Sequence, residues 1–253
     1  MKRLVLLFST LAAACGGADE PEPCDGTIVG NICTVAGNGE SGYSGDDGPA
    51  LAAEMSLPQD TLHGDDGAMY ILDWNNHRIR KVVDGTMFHV SGRGELGGTL
   101  DDPANDDFNH PTGIVFDPTR TKLVVAAWHN SKLRTVDLAS GEIVDTCGDG
   151  RRAYFGDGGP AAAATLDLPA SVVFAPSGDL VIMDQANQVI RAIDGAGTIR
   201  RIAGTCVIDA PACAAGATPI ACPQPGSGKT TCGPVETCGL PCTPAYAGDG
   251  GPA

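Results

Sequence analysis

His110-Pro111-Thr112-Gly113-Ile114-Val115-Phe116-Asp117, then Lys122-Leu123-Val124-Val125-Ala126, then Asn130-Ser131-Lys132-Leu133-Arg134, is the stretch that decides the fold. It alternates short β-branched and aliphatic runs with Gly, Pro, Asn and Asp, the signature of strands joined by tight turns. The same landmarks stand on either side of it. Upstream are Leu57-Pro58, the run from Met69 to Asp73, and Asn76-His77-Arg78-Ile79-Arg80. Downstream are Leu168-Pro169, the run from Leu180 to Asp184, and Asn187-Gln188-Val189-Ile190-Arg191. Each copy closes with a strand running into a glycine turn, at Gly92, Gly148 and Gly204. A further closing strand opens the series at Ile32-Cys33-Thr34-Val35-Ala36-Gly37. Arg80, Arg134 and Arg191 recur at intervals of 54 and 57 residues, so the landmarks keep register across three copies.

Each copy therefore predicts four strands. A lone four-stranded sheet cannot bury both faces, and radial stacking of such sheets solves this, which gives a propeller. The composition agrees: 35 glycines, 18 prolines and an aromatic fraction of 5% suit many short strands better than a helical bundle. The Asn-His-Arg-Ile-Arg stretch, the Pro111–Asp117 strand and the closing glycine turn resemble the NHL repeat family, over about residues 27–204. That resemblance implies an all-β, NHL-type β-propeller with about three four-stranded blades present and an incomplete fourth. One departure stands out, since Gln59-Asp60-Thr61-Leu62-His63 replaces the family's small, apolar opening strand.

The links between blades carry a second motif. Gly42-Tyr43-Ser44-Gly45-Asp46-Asp47-Gly48-Pro49-Ala50 returns as Tyr154–Ala161 and as Tyr246–Ala253, with a remnant at Asp101–Ala104. These loops resemble those of teneurin-like propellers. A blade is expected after each such loop, and the last loop ends at Ala253, so the expectation is a chain truncated from a ring of about six blades, within the usual roughly four to eight. Within each copy an Asn stands four residues before the arginine, at Asn76, Asn130 and Asn187, and is expected to take the left-handed conformation of a tight hairpin. Asp73 and Asp184 stand seven before their arginines and are expected to meet them across one hairpin as structural pairs, whereas the second copy has Ala127.

The beginning of the chain reads as an export signal. Met1-Lys2-Arg3 is a positive head, Leu4–Leu11 an apolar run too short to cross a bilayer, and Ala12-Ala13-Ala14-Cys15 a small-residue site. Its likeness to a bacterial lipobox implies cleavage before Cys15 and lipidation there. Residues 1–14 are then the signal peptide and 15–26 a lipidated tether. Residues 27–205 carry the blades, 206–243 a Cys-rich insertion, and 244–253 the start of the next repeat. Gly16, rather than Asp, after the cysteine implies an outer-membrane destination, with attachment through the lipid alone.

Ten cysteines are present, and Cys206, Cys213, Cys222, Cys232, Cys238 and Cys242 crowd the insertion. In an exported chain these read as a disulfide-stapled loop whose pairing is open, with zinc binding as the alternative. Cys24 and Cys33 are further disulfide candidates, able to pair with each other near the domain entrance though the pairing is open, and Cys147 is left over. Gly226-Ser227-Gly228-Lys229-Thr230 lacks the earlier glycine and the leading strand of a phosphate loop.

A net charge of −15 with no basic cluster excludes a nucleic-acid surface. The five histidines fall at scattered places in the repeat, and only His110 begins an inner strand, where related propeller lyases and lactonases hold a metal. The Gly-Asp-Gly loops read as turns, with calcium binding as a second reading. No cofactor is otherwise implied. The function expected is a module that binds a protein, peptide or glycan, or serves as a scaffold. The alternative is a metal-dependent lyase- or lactonase-like enzyme completed by blades beyond these three.

Overall fold

A computed structural model describes residues 28–96 and 107–205, together with the backbone of two short paired strands, Ile220–Ala221 and Thr230–Thr231. The chain divides into two compact units, Met1–Val35 and Ala36–Ala253. In the first, residues 28–35 form a turn and backbone outside any strand. The closing strand expected at 32–37 is thus not formed there. Instead, Gly37 N donates to the Ala50 carbonyl at 2.9 Å within the second unit.

The described residues of the second unit are all-β and form three antiparallel blades beside the short Ile220–Ala221/Thr230–Thr231 pair. In the first, β2 (Asp60–His63), β3 (Met69–Asp73), β4 (Arg78–Val83) and β5 (Thr86–Ser91) pair in order, and β1 (Gly48–Pro49) adds to the edge of β5. The second blade runs β6 (Pro111–Phe116), β7 (Lys122–Ala127), β8 (Lys132–Asp137) and β9 (Ile143–Cys147). The third runs β10 (Pro169–Phe174), β11 (Leu180–Asp184), β12 (Val189–Ile193) and β13 (Ile199–Ala203). Despite its polar sequence, β2 pairs with β3 along its whole length. Asp60 turns that polarity to use by accepting the backbone N–H of Ile114 at 3.2 Å, which ties the first blade to the second.

The blades meet face to face over apolar cores. Tyr70, Leu72 and Ile79 pack against Ile114, Leu123 and Val125. Val124, Ala126 and Leu133 pack against Val172, Leu180 and Ile182, with Ala161 and Ala164 of the intervening loop. The inner strands come so close that a Cβ on Gly113 would sit 2.8 Å from the Ser171 Cα, so this position needs glycine. The far side of the third blade keeps Val173, Met183 and Ile202 exposed at 54%, 45% and 41%, an apolar face of the kind a neighbouring blade covers elsewhere. Among the described residues the propeller is incomplete.

One buried knot is repeated in the first and third blades. Arg80 and Arg191 have fully buried side chains. Arg80 Nε donates to Asp46 at 2.8 Å, and its Nη atoms donate to the carbonyls of Glu54 and Ser44 at 2.6 and 2.7 Å. Arg191 does the same with Asp157 at 3.0 Å and with the carbonyls of Thr165 and Phe155 at 2.7 and 3.0 Å. Tyr43 and Tyr154 donate their hydroxyls to the same two loop aspartates, and each ring lies beneath its arginine, at 5.2 and 5.1 Å. Asp73 and Asp184 stand at 3.5 and 3.3 Å, as the wider partners of the arginines. Their other task is to accept Asn76 and Asn187 at 2.8 and 2.9 Å and the backbone N–H of Ser56 and Asp167 at 2.8 Å.

Two expectations change here. The Asp–Arg pairs form as expected and are completely buried, but the dominant carboxylate comes from the interblade loop. The left-handed residue is one place later than the asparagine: His77, Ser131 and Gln188 have φ of 53°, 52° and 57°. The asparagines at 76 and 130 close the short 3-10 turns Trp74–Asn76 and Trp128–Asn130. All three turn their amides inward instead: Asn76 and Asn187 onto the Asp of the knot, and Asn130 onto the backbone N–H of Asn109 at 2.8 Å.

Burial raises the Asp184 carboxyl to about 6 against the pull of Arg191 and its hydrogen bonds, and shifts Asp73 the same way. In the second blade Ala127 removes the inner carboxylate, and Arg134 pairs instead with the 45%-exposed Asp145 at 3.0 Å. The contrast sets the expected mutational costs. Asp184→Ala takes the acceptor from the buried Asp167 N–H and Asn187 amide and one of its two carboxylates from the buried Arg191, and lowers unfolding free energy by about 3–5 kcal/mol. Asp145→Ala removes a half-exposed carboxylate from Arg134, which is buried but keeps the Asp107 carbonyl, and costs less, about 1–3 kcal/mol. Urea melts of the two variants beside the parent measure both, and equal losses would refute the distinction.

Candidate functional site

The 3-10 turns after β3 and β7, the matching turn after β11, and the residues leading into β2, β6 and β10 all lie at one end of the sheets, because β2 starts opposite the end of β3 and the other blades repeat that register. Backbone bonds lock the two sets together: Asn75 N to Ser56 O at 3.0 Å, His129 N to Asn109 O at 3.1 Å and Ala186 N to Asp167 O at 3.0 Å. The residue before each inner-strand proline is left-handed, with φ of 51° at Leu57, 53° at His110 and 52° at Leu168. Pre-proline residues of this kind are uncommon. Its presence in all three blades makes it a property of the fold, to which His110 adds a titratable ring.

Repetition makes a cavity at this end. The residues after the three prolines, Gln59, Thr112 and Ala170, face the leading residues of the three turns, Trp74, Trp128 and Gln185. Together they line a space of about 290 Å³. Trp128 Nε1 donates to Gln185 Oε1 at 2.9 Å across the seam between the second and third blades.

Behind the indoles stand three histidines. Trp74 lies 4.2 Å from the His110 ring, and Trp128 stacks on His129 at 4.1 Å and 24°. His110 meets His77 and His129 edge to face, at 4.4 and 4.7 Å. His77 Nδ1 accepts the backbone N–H of His110 at 3.2 Å, while His110 Nδ1 lies 2.7 Å from Asn109 Oδ1 and 3.0 Å from His129 Nδ1. Burial, reinforced by the two neighbouring rings, lowers His110 to about 4. Burial lowers His77 and His129 as well.

The sequence scattered these rings over unrelated repeat positions, and the structure gathers three of them. His77 ends one turn, His129 lies within the next and His110 leads an inner strand. His63 and His89 lie elsewhere, in β2 and β5. The indoles carried an unread signal: Trp74, Trp128 and Gln185 all stand six residues before Arg80, Arg134 and Arg191.

The sites expected from sequence fare differently. Cys15, Cys24, Cys206, Cys213, Cys222, Cys232, Cys238 and Cys242 lie outside the described residues. Cys33 lies in the first unit. Cys147 is a free thiol, fully buried in the seam between the second and third blades, and burial pushes it up to about 12. The Gly-Asp-Gly loops commit Asp46 and Asp157 to arginine and tyrosine.

No family model and no curated protein matches the chain. Solved structures do. An auxiliary nutrient binding protein from Bacteroides ovatus is 15% identical, with a TM-score of 0.46 over 60% of this chain and 37% of its own. A gluconolactonase from Xanthomonas campestris is 15% identical, with a TM-score of 0.44 over 66% of this chain and 50% of its own. Virginiamycin B lyase from Staphylococcus aureus is 14% identical, with a TM-score of 0.39 over 59% and 43%. The chain thus spans half or less of the length of these structures.

The histidine cluster predicts a pH dependence. The unfolded chain protonates His110 near the ordinary value of 6.5, while the folded chain resists protonation down to about 4. Stability present above the first value is therefore lost as pH falls towards the second. Replacing His110 by Gln should flatten the fall of the urea midpoint between pH 7 and pH 4. An unchanged slope would remove the cluster as its source.

Proposed function

We propose that this chain is an exported, lipid-anchored ligand-binding module built on NHL-type propeller blades, with its binding face at the end that carries the two tryptophans. The observation that carries the reading is the cavity between Trp74, Trp128 and the polar side chains of Gln59, Thr112 and Gln185. Concave sites with aromatic walls and a few placed polar groups are the usual form of small-ligand sites. Export and anchoring rest on the Met1–Cys15 segment, and the oxidising compartment it implies supports disulfides among Cys24, Cys33 and the six cysteines of the insertion.

A second reading, a metal-dependent propeller enzyme, is favoured by the convergence of His77, His110 and His129. The nitrogens in hand do not fit it well. His77 Nδ1 is spent on a backbone N–H, and His110 Nδ1 on Asn109 and His129.

A thermal-shift screen of glycans, peptides and small metabolites against the whole chain and its Trp74→Ala/Trp128→Ala variant separates the readings. Binding at a hundredfold excess over Kd stabilises the parent by about 2.7 kcal/mol, and the double variant should lose that gain. Ligands that stabilise both proteins equally would refute the site. Chemical turnover of a hit, dependent on added metal and on His110, would replace binding by catalysis.

A further inference from the structure

We propose that the tryptophan-walled cavity recognises a neutral saccharide. The inference rests on the ligand-binding reading of that cavity and names its ligand class.

The lining is uncharged: two indoles, two carboxamides, one hydroxyl and one methyl group. An ionic ligand entering it would shed its hydration with no opposite charge to receive it. The chain's net charge of −15 further disfavours anions, including nucleic acid, whose stacking sites need a basic groove.

A quaternary ammonium would find the indole faces attractive. It has no use for the three polar side chains, however: Gln59 and Gln185 are exposed and Thr112 half-buried, and none of them gains a partner from it. A pyranose uses both kinds of surface. Its C–H face lies on an indole, and its hydroxyls both donate and accept.

The polar groups offer both roles. Gln185 Oε1 is taken by the Trp128 N–H, so its amide N–H₂ is left to donate towards the cavity. The Thr112 hydroxyl hydrogen reaches back towards the carbonyls of Ala126 and Pro169, at 3.5 and 3.4 Å, so its lone pairs are left to accept. Gln59 is exposed and supplies both functions at the rim.

The walls are also held in place. Trp74 rests on His110, Trp128 rests on His129, and the two histidines hydrogen-bond each other at 3.0 Å. Support of this kind lowers the ordering cost of binding. The volume of about 290 Å³ lies near the lower edge of ordinary ligand sites, which suits one or two sugar rings.

Isothermal titration of the whole chain with cellotetraose, maltotetraose, xylotetraose and mannotetraose tests this, with tetragalacturonate and choline as charged controls. At least one neutral tetraose should bind, and both controls should fail. Trp128→Ala should weaken binding about tenfold or more, and Gln59→Leu, which removes the amide but keeps the bulk, should weaken it by several fold. Circular dichroism and urea midpoints verify that each variant is folded. Should Gln59→Leu and Trp128→Ala both bind the tetraose as the parent does, the proposal is overturned. Binding of choline or tetragalacturonate through Trp128, without any neutral tetraose, also overturns it. If all six probes fail while the thermal-shift screen yields another pocket-dependent ligand, the saccharide is wrong and the binding site stands. If that screen is empty as well, both readings fall.

Discussion

The structure depends on a guanidinium buried where a sheet alone would not put one. Arg80 and Arg191 lie on the middle strands of their blades, with no exposed side-chain surface. Burying such a charge is costly unless every donor is met. Each arginine meets its donors with a loop aspartate, two backbone carbonyls and a more distant strand aspartate. The loop is therefore fixed in place by the demands of the arginine, and its alanines are buried, Ala50 and Ala53 against Ile71 and Met87 of the first blade and Ala161 and Ala164 in the seam between the second and third. Polar satisfaction and hydrophobic packing are here one constraint.

The second blade shows what happens when this constraint is relaxed. Ala127 stands in place of the strand aspartate, and Arg134 is met by Asp145 and by the carbonyl of Asp107. The 3-10 turn and left-handed residue of that blade persist. The hairpin geometry thus comes from the turn itself and from Asn130, which still binds the backbone of Asn109. The knot adds stability and places the loop, whereas the turn sets the direction in which Trp128 projects.

Much of this was legible in the sequence, because repeats report register directly. Twelve strands in three sheets follow from the spacing of Arg80, Arg134 and Arg191 and the alternating aliphatic runs between them. The Asp–Arg pairs were legible as pairs, though not as buried ones. Depth depends on the loop laid over them, and Asp46 and Asp157 reach their arginines from 34 residues away. The left-handed position was missed by one residue, since Asn76 uses its side chain rather than its backbone. The histidine cluster was not legible at all: His77, His129 and His110 occupy different repeat positions, and only the shared end of the sheets unites a turn with a strand entrance.

Cys147 gives the fold a built-in gauge. Its sulfur is covered on all sides by the seam that joins the second and third blades, with Leu133, Ala164 and Leu166 in the same cluster. Burial holds the thiol in its unreactive protonated form. The rate at which an alkylating reagent finds this sulfur counts the openings of one blade boundary, separately from fraying elsewhere. A chain made of repeats thus carries, at a single seam, a chemical clock for the parting of its blades.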